Sequence, residues 1–109
     1  MHVQINTDHN IEGGEGLTAH VSETVKIALS RVSDRITRVE VHLRDENGDK
    51  GGRKDKCCVM EARMGGHQPI AVTHHAATLD DAVDGAAGKL ARLLDSTIGR
   101  LKAEVDRHA

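Results

Sequence analysis

The 109-residue sequence contains no phenylalanine, tyrosine or tryptophan. That absence removes one mode of nucleic-acid recognition, because single-strand binders and RNA-recognition sheets stack bases on aromatic rings. Any contact with nucleic acid must then run through backbone charge and shape. The core chemistry is fixed as well. Val, Ile, Leu, Met and Ala have to fill it, which suits a thin layer of helix on sheet.

Cysteine is scarce too: Cys57 and Cys58 are the only two, and they are adjacent. In a strand, neighbouring side chains point to opposite faces, so this pair is poorly placed to form a disulfide. A reducing cytoplasm is the simplest setting, and strand cysteines read as small buried side chains. No apolar run approaches the roughly 18 residues that a membrane span needs. The first residues, Met1-His2-Val3-Gln4-Ile5-Asn6, alternate polar and apolar and lack a basic-then-apolar signal segment. A cytoplasmic chain with no membrane partner is expected.

Neither sign of charge dominates, since 15 Lys and Arg stand against 17 Asp and Glu for a net charge of −2. This argues against a promiscuous polyanion binder, whose basic face normally dominates the total. It leaves room for one basic face offset by acid elsewhere. Catalytic signatures are missing: there is no phosphate-cradling loop, dinucleotide fingerprint or paired-carboxylate pattern. No enzyme activity, cofactor or small-molecule substrate is expected. The eight histidines include no His-x-x-x-His on a helical segment, and no Cys-x-x-Cys accompanies them. His74 and His75 are adjacent and point to opposite sheet faces. A metal site assembled from His9, His42, His75 and a cysteine is conceivable, but none is expected.

What is present is a globular composition, 38 % hydrophobic and 29 % charged, at a length that suits one domain over 1–109. Val3 and Ile5 alternate with polar residues and predict a short strand. Gly13 and Gly14 then precede a helix over roughly 16–33, with Leu17, Val21, Val25, Ala28 and Val32 at helical spacing. From Ile36 the period changes to two: Val39, Val41 and Leu43 face one way, Arg38, Glu40, His42 and Arg44 the other. The run Asn47-Gly48-Asp49-Lys50-Gly51-Gly52 is hairpin chemistry. It leads to a strand at about 56–64, a second turn at Gly65-Gly66, and a strand at about 70–75 opened by Pro69. Thr78 and Asp81 resemble a capping box. Beyond them Leu79, Val83, Ala86, Leu90, Leu93, Leu94, Ile98, Leu101 and Val105 form one stripe of a long last helix. The order is βαβββα: an α+β fold in which a four-stranded sheet carries two helices on one face.

On that last helix the charges separate. Lys89, Arg92, Arg100 and Arg107 lie beside one border of the apolar stripe; Asp84, Asp95 and Asp106, with Lys102, lie beside the other. The hairpin adds Lys50, Arg53, Lys54 and Lys56, diluted by Asp49 and Asp55. Both clusters suit phosphate contact, and both equally suit an ordinary solvated surface.

Element order and local sequence together resemble the ribosome hibernation-promoting factor family, which includes ribosome-associated inhibitor A. The matching runs are Ser33-Asp34-Arg35-Ile36, leading into the alternation of Val39, Val41 and Leu43, and the helix 77–94. Within that helix, Ala82-x-Asp84 and Lys89-Leu90-x-Arg92-x-Leu94 are similar to the family pattern in place. The resemblance spans roughly residues 3–102. It implies a fold related to double-stranded RNA-binding domains and docking on the small ribosomal subunit. Members lie in the channel between head and body, overlap the mRNA and tRNA sites, and silence idle ribosomes. The length matches the short forms, which lack a C-terminal dimerisation domain. Lys89 and Arg92 match the family's basic helix positions and Arg35 its junction arginine; with Arg100, Arg53 and Lys54 they form the expected RNA-binding set. The chain departs where the family usually carries aromatics, having Val32-Ser33, and where it usually carries a lysine-rich run, having Asp95-Ser96-Thr97-Ile98-Gly99. Its first hairpin is longer and richer in glycine. The expectation is a non-enzymatic, stress-related factor that binds small-subunit rRNA and blocks that channel. The alternative is a divergent paralogue acting as a protein-interaction module with little RNA affinity.

Overall fold

The computed structural model describes residues 1–8, 11, 13–46 and 55–108, with side chains as far as 105. The elements run β1 (His2–Thr7), α1 (Glu15–Ala28), a 3₁₀ turn (Ser30–Arg35), β2 (Ile36–Asp45), β3 (Lys56–Met64), β4 (Ile70–Ala76) and α2 (Leu79–His108). The sheet has the order β1-β2-β3-β4, with β1 parallel to β2 and the other pairs antiparallel. Parallel neighbours need a long crossover, which α1 and the 3₁₀ turn supply.

Alternation decides which face of the sheet is buried. Val39, Val41 and Leu43 on β2 lie opposite Ala62, Met60 and Cys58 on β3, and these in turn lie opposite Ile70, Val72 and His74 on β4. Val3 and Ile5 extend the same face onto β1. Val21 and Val25 of α1 join this apolar layer, as do Ala82, Ala86, Leu90, Leu94 and Ile98 of α2. Both helices therefore cover one face, and the polar residues of β2 occupy the other. The β3–β4 turn closes with His67 N–H donating to the Met64 carbonyl at 3.2 Å. Gly66 there has φ 79°, a backbone region in which a side chain is strained.

The first helix ends earlier than its apolar spacing predicts, at Ala28 rather than near 33. Leu29 N–H still reaches the Val25 carbonyl at 2.9 Å, but Val32 N–H bonds Leu29 at 3.1 Å, one residue tighter. Ser33 Oγ donates to the Ser30 carbonyl at 3.2 Å, the local bonding by which serine competes with regular helix. The tighter turn buries Val32 and brings the chain straight into β2. Apolar spacing alone does not separate these two helix types over a single turn.

The second helix starts where its cap predicts, with Asp81 N–H donating to Thr78 Oγ at 3.1 Å. Its stripe needs two corrections. Leu93 is 38 % exposed and Val105 67 % exposed, while Ala82 and Ala87 are buried in their place. Leu93 sits at the border of the basic flank. Val105 lies past the core: 102–105 are all exposed, so these last turns have left the sheet. Gly85 has a packing reason, because a Cβ there would collide with the His74 ring on β4.

Candidate nucleic-acid interface

The two flanks of α2 meet different neighbours. The acidic flank faces α1 and the 3₁₀ turn, where His20 Nε2 lies 3.4 Å from Asp80 and Arg31 lies 3.8 Å from Asp95. These exposed pairs contribute little stability, but they place Asp80 and Asp95 against cationic or titratable partners on the first helix and the turn. The basic flank faces the free edge of the sheet. Lys89 Nζ donates to the Thr73 carbonyl of β4 at 2.9 Å, which ties the helix to the edge strand and fixes the ammonium beside it.

Arg92 and Arg100 are exposed, and among the described residues neither forms an ion pair. From Lys89 to Arg100 the flank runs about 16 Å along the helix, at 1.5 Å per residue. Arg35, at the end of the 3₁₀ turn, is also exposed. It lines a shallow groove with Met64, Gly65, His67 and Leu101, beside the apolar stripe near the C-terminal end of the helix. Three expected residues, Lys89, Arg92 and Arg100, thus share one flank of α2, while Arg35 stands at the end of the 3₁₀ turn, which faces the other. Arg53 and Lys54, with Lys50, lie outside the described residues.

Lys56 does not belong with them. Its side chain is only 19 % exposed and bridges Asp55 at 3.1 Å and Asp45 at 3.4 Å. The hydrogen bond to Asp55 raises its pKa first, and the Asp45 carboxylate adds to it. A lysine held between two carboxylates is spent within the fold.

The helix-free face of the sheet is a poor phosphate surface. Arg38 pairs with Glu40 at 3.2 Å, and Arg63 pairs with Glu61 at 3.1 Å and Glu40 at 3.7 Å. The period of two places the first two pairs on one face within their own strands, the diagonal Arg63–Glu40 pair joins the strands, and the charges cancel. Lys89, Arg92 and Arg100 therefore form a row of exposed cations on one flank of α2 that make no ion pair among the described residues.

This arrangement defines the class: a small α+β domain with a mixed four-stranded sheet, two helices on one face, and a basic flank beside the fourth strand. Residues 3–102 match the family model described as sigma 54 modulation protein / S30EA ribosomal protein, and the chain belongs to that family. Solved structures share the fold at low identity. A ribosomal subunit interface protein from Coxiella burnetii is 17 % identical, with 91 % of this chain and 99 % of that one covered at a TM-score of 0.69. The N-terminal domain of Thermus thermophilus protein Y is 18 % identical, with 89 % of this chain and 99 % of that one covered at a TM-score of 0.72. No curated protein matches the sequence. Among the described residues no helix is long and apolar enough to cross a membrane.

Proposed function

We propose that this protein is a non-enzymatic, cytoplasmic, ribosome-associated factor. It binds rRNA of the small subunit through the basic flank of α2 and blocks the mRNA and tRNA channel during hibernation under stress. The observation that carries this reading is the flank of Lys89, Arg92 and Arg100, without an ion pair among the described residues, on a chain of the S30EA family. The Coxiella burnetii relative of the same fold, described as a ribosomal subunit interface protein, supports it. The mechanism is occlusion: a body with extents of 56 × 26 × 20 Å seated in a channel excludes other occupants. Its charged edge holds phosphate without reading sequence.

Salt dependence tests the assignment. Each cation on a phosphate releases about one counterion, so replacing Lys89, Arg92 and Arg100 together with Ala should flatten log affinity against log salt by about 2–3 units. Binding to purified small subunits, measured by sedimentation across a salt series, gives the slope. A slope unchanged in the triple variant would show that this flank is merely solvated. Failure of the unaltered protein to sediment with the subunit would favour the protein-interaction module.

A further inference from the structure

The face of the sheet away from the helices carries a second cluster, unrelated to the basic flank. Arg44, Cys57 and His75 occupy directly opposed positions on β2, β3 and β4, so their side chains share that face. Glu46 follows β2 by one residue and bends back over the row, its Oε1 3.1 Å from His75 Nε2. The nearest ligating atoms of Glu46, Cys57 and His75 all lie within 4.8 Å of one another. Cys57 is fully buried, while the His75 and Glu46 side chains are 45 % and 48 % exposed. The thiol forms the floor of a small tripod, and the imidazole and carboxylate form its open rim.

We propose that Glu46, Cys57 and His75 form a binding site for a divalent cation of the zinc type. One thiolate, one imidazole and one carboxylate are the donors that such borderline-soft ions take, and three protein ligands leave the fourth tetrahedral position to water. Metal–ligand bonds of about 2.0–2.3 Å place tetrahedral ligand atoms roughly 3.3–3.8 Å apart. His75 and Glu46 stand 3.1 Å apart and no pair of the three is separated by more than 4.8 Å, so small side-chain rotations suffice. Solvent reaches the rim directly, which supplies an entry path. Arg44 Nη2 donates to Cys57 Sγ at 3.6 Å and so stands as an outer-shell partner that orients the sulfur.

The sequence pointed elsewhere. Of His9, His42, His75 and a cysteine, the structure unites only His75 and Cys57, and Glu46 takes the third place. His42 lies opposite Val59, and His9 lies outside the described residues. Cys58 is not a candidate ligand: it sits in the core between sheet and helices, and burial pushes its thiol up to about 12.

Metal-free protein titrated with Zn²⁺ against a chromophoric chelator should bind one equivalent. Co²⁺ in its place should give the thiolate-to-metal absorption band, on a background free of aromatic absorption. The band should vanish in Cys57→Ser and persist in Cys58→Ala, with circular dichroism confirming that each variant is folded. Outer-shell partners alone are worth about 10- to 100-fold in affinity, so His75→Ala and Glu46→Gln should each weaken Zn²⁺ binding by more than about 100-fold. The proposal is overturned if the folded protein takes up no stoichiometric Zn²⁺. It is equally overturned if uptake survives undiminished in Cys57→Ser, which would show that the thiol is not a ligand. Neither result touches the ribosome reading, which rests on different residues.

Discussion

At the scale of single residues, the glycines of α2 show how much a sequence withholds. All three cost helix propensity of up to about 1 kcal/mol each, and by sequence they look alike. In the fold they differ. A Cβ at Gly85 meets the His74 ring, whereas one at Gly99 meets nothing within 4 Å. Gly99→Ala should therefore stabilise the protein by up to about 1 kcal/mol. Gly85→Ala should destabilise it by about 1–3 kcal/mol, the usual cost of forcing bulk into a packed site. Urea midpoints of the two variants measure this, and a stabilised Gly85→Ala would mean that the His74 ring swings aside at little cost. The adjacent histidines are a similar case. Alternation puts His74 and His75 on opposite faces, which is legible at once. That His74 packs on a glycine and His75 meets a carboxylate depends on what other segments bring, and no local pattern carries that. The enclosure of Lys56 is illegible for the same reason: Asp45 comes from the neighbouring strand.

At the scale of elements, local chemistry and fold agree almost everywhere. The period of two in β2, the cap at Thr78 and the turn at Gly65-Gly66 each act within a few residues, so the sequence carries them in full. The end of α1 and the outer stripe of α2 were less legible, because both depend on where the sheet stops. Leu93 and Val105 continue the helical period of the stripe, yet only the extent of the sheet determines that they stay exposed. Leu90 and Leu94 do reach it, and both are completely buried. Leu→Ala at either position should cost about 2–5 kcal/mol, lost contact and cavity together. Leu93→Ala should cost far less, and chemical denaturation of the three variants gives the order directly. A loss below about 0.5 kcal/mol at Leu90 would mean that α2 presents a different face to the sheet.

At the scale of the whole molecule, a net charge of −2 proves a poor guide to surface chemistry. The acid of α2 is turned toward α1 and the 3₁₀ turn, the charges of the helix-free face cancel one another, and Lys56 is enclosed by carboxylates. Lys89, Arg92 and Arg100 remain, in a row along one flank of α2. The salt-slope test has a built-in control here: Asp84→Asn and Asp95→Asn, on the other flank, should leave the slope unchanged and binding equal or slightly tighter. Fold and flank were both legible in the sequence, since each follows from periodicity. The tripod of Glu46, Cys57 and His75 was not, because it needs three strands aligned in register.

The parallel pairing of β1 has a consequence for the order of assembly. Hairpin pairing links β2 to β3 and β3 to β4 through short connections, so those contacts close small loops. β1 instead pairs His2 with Arg38 and Thr7 with Leu43, a separation of 36 residues in each case (38 − 2 and 43 − 7). Its partner surface exists only once β2 is in place, and closing the longer loop costs more entropy before any contact repays it. The antiparallel strands with α2 should then form the early cooperative unit, and β1 should add last and open first. Native-state hydrogen exchange reads this directly: the amides of Val3 and Ile5 should exchange through a smaller opening than those of Met60 and Ala62. Equal protection across all four strands would make the sheet a single unit.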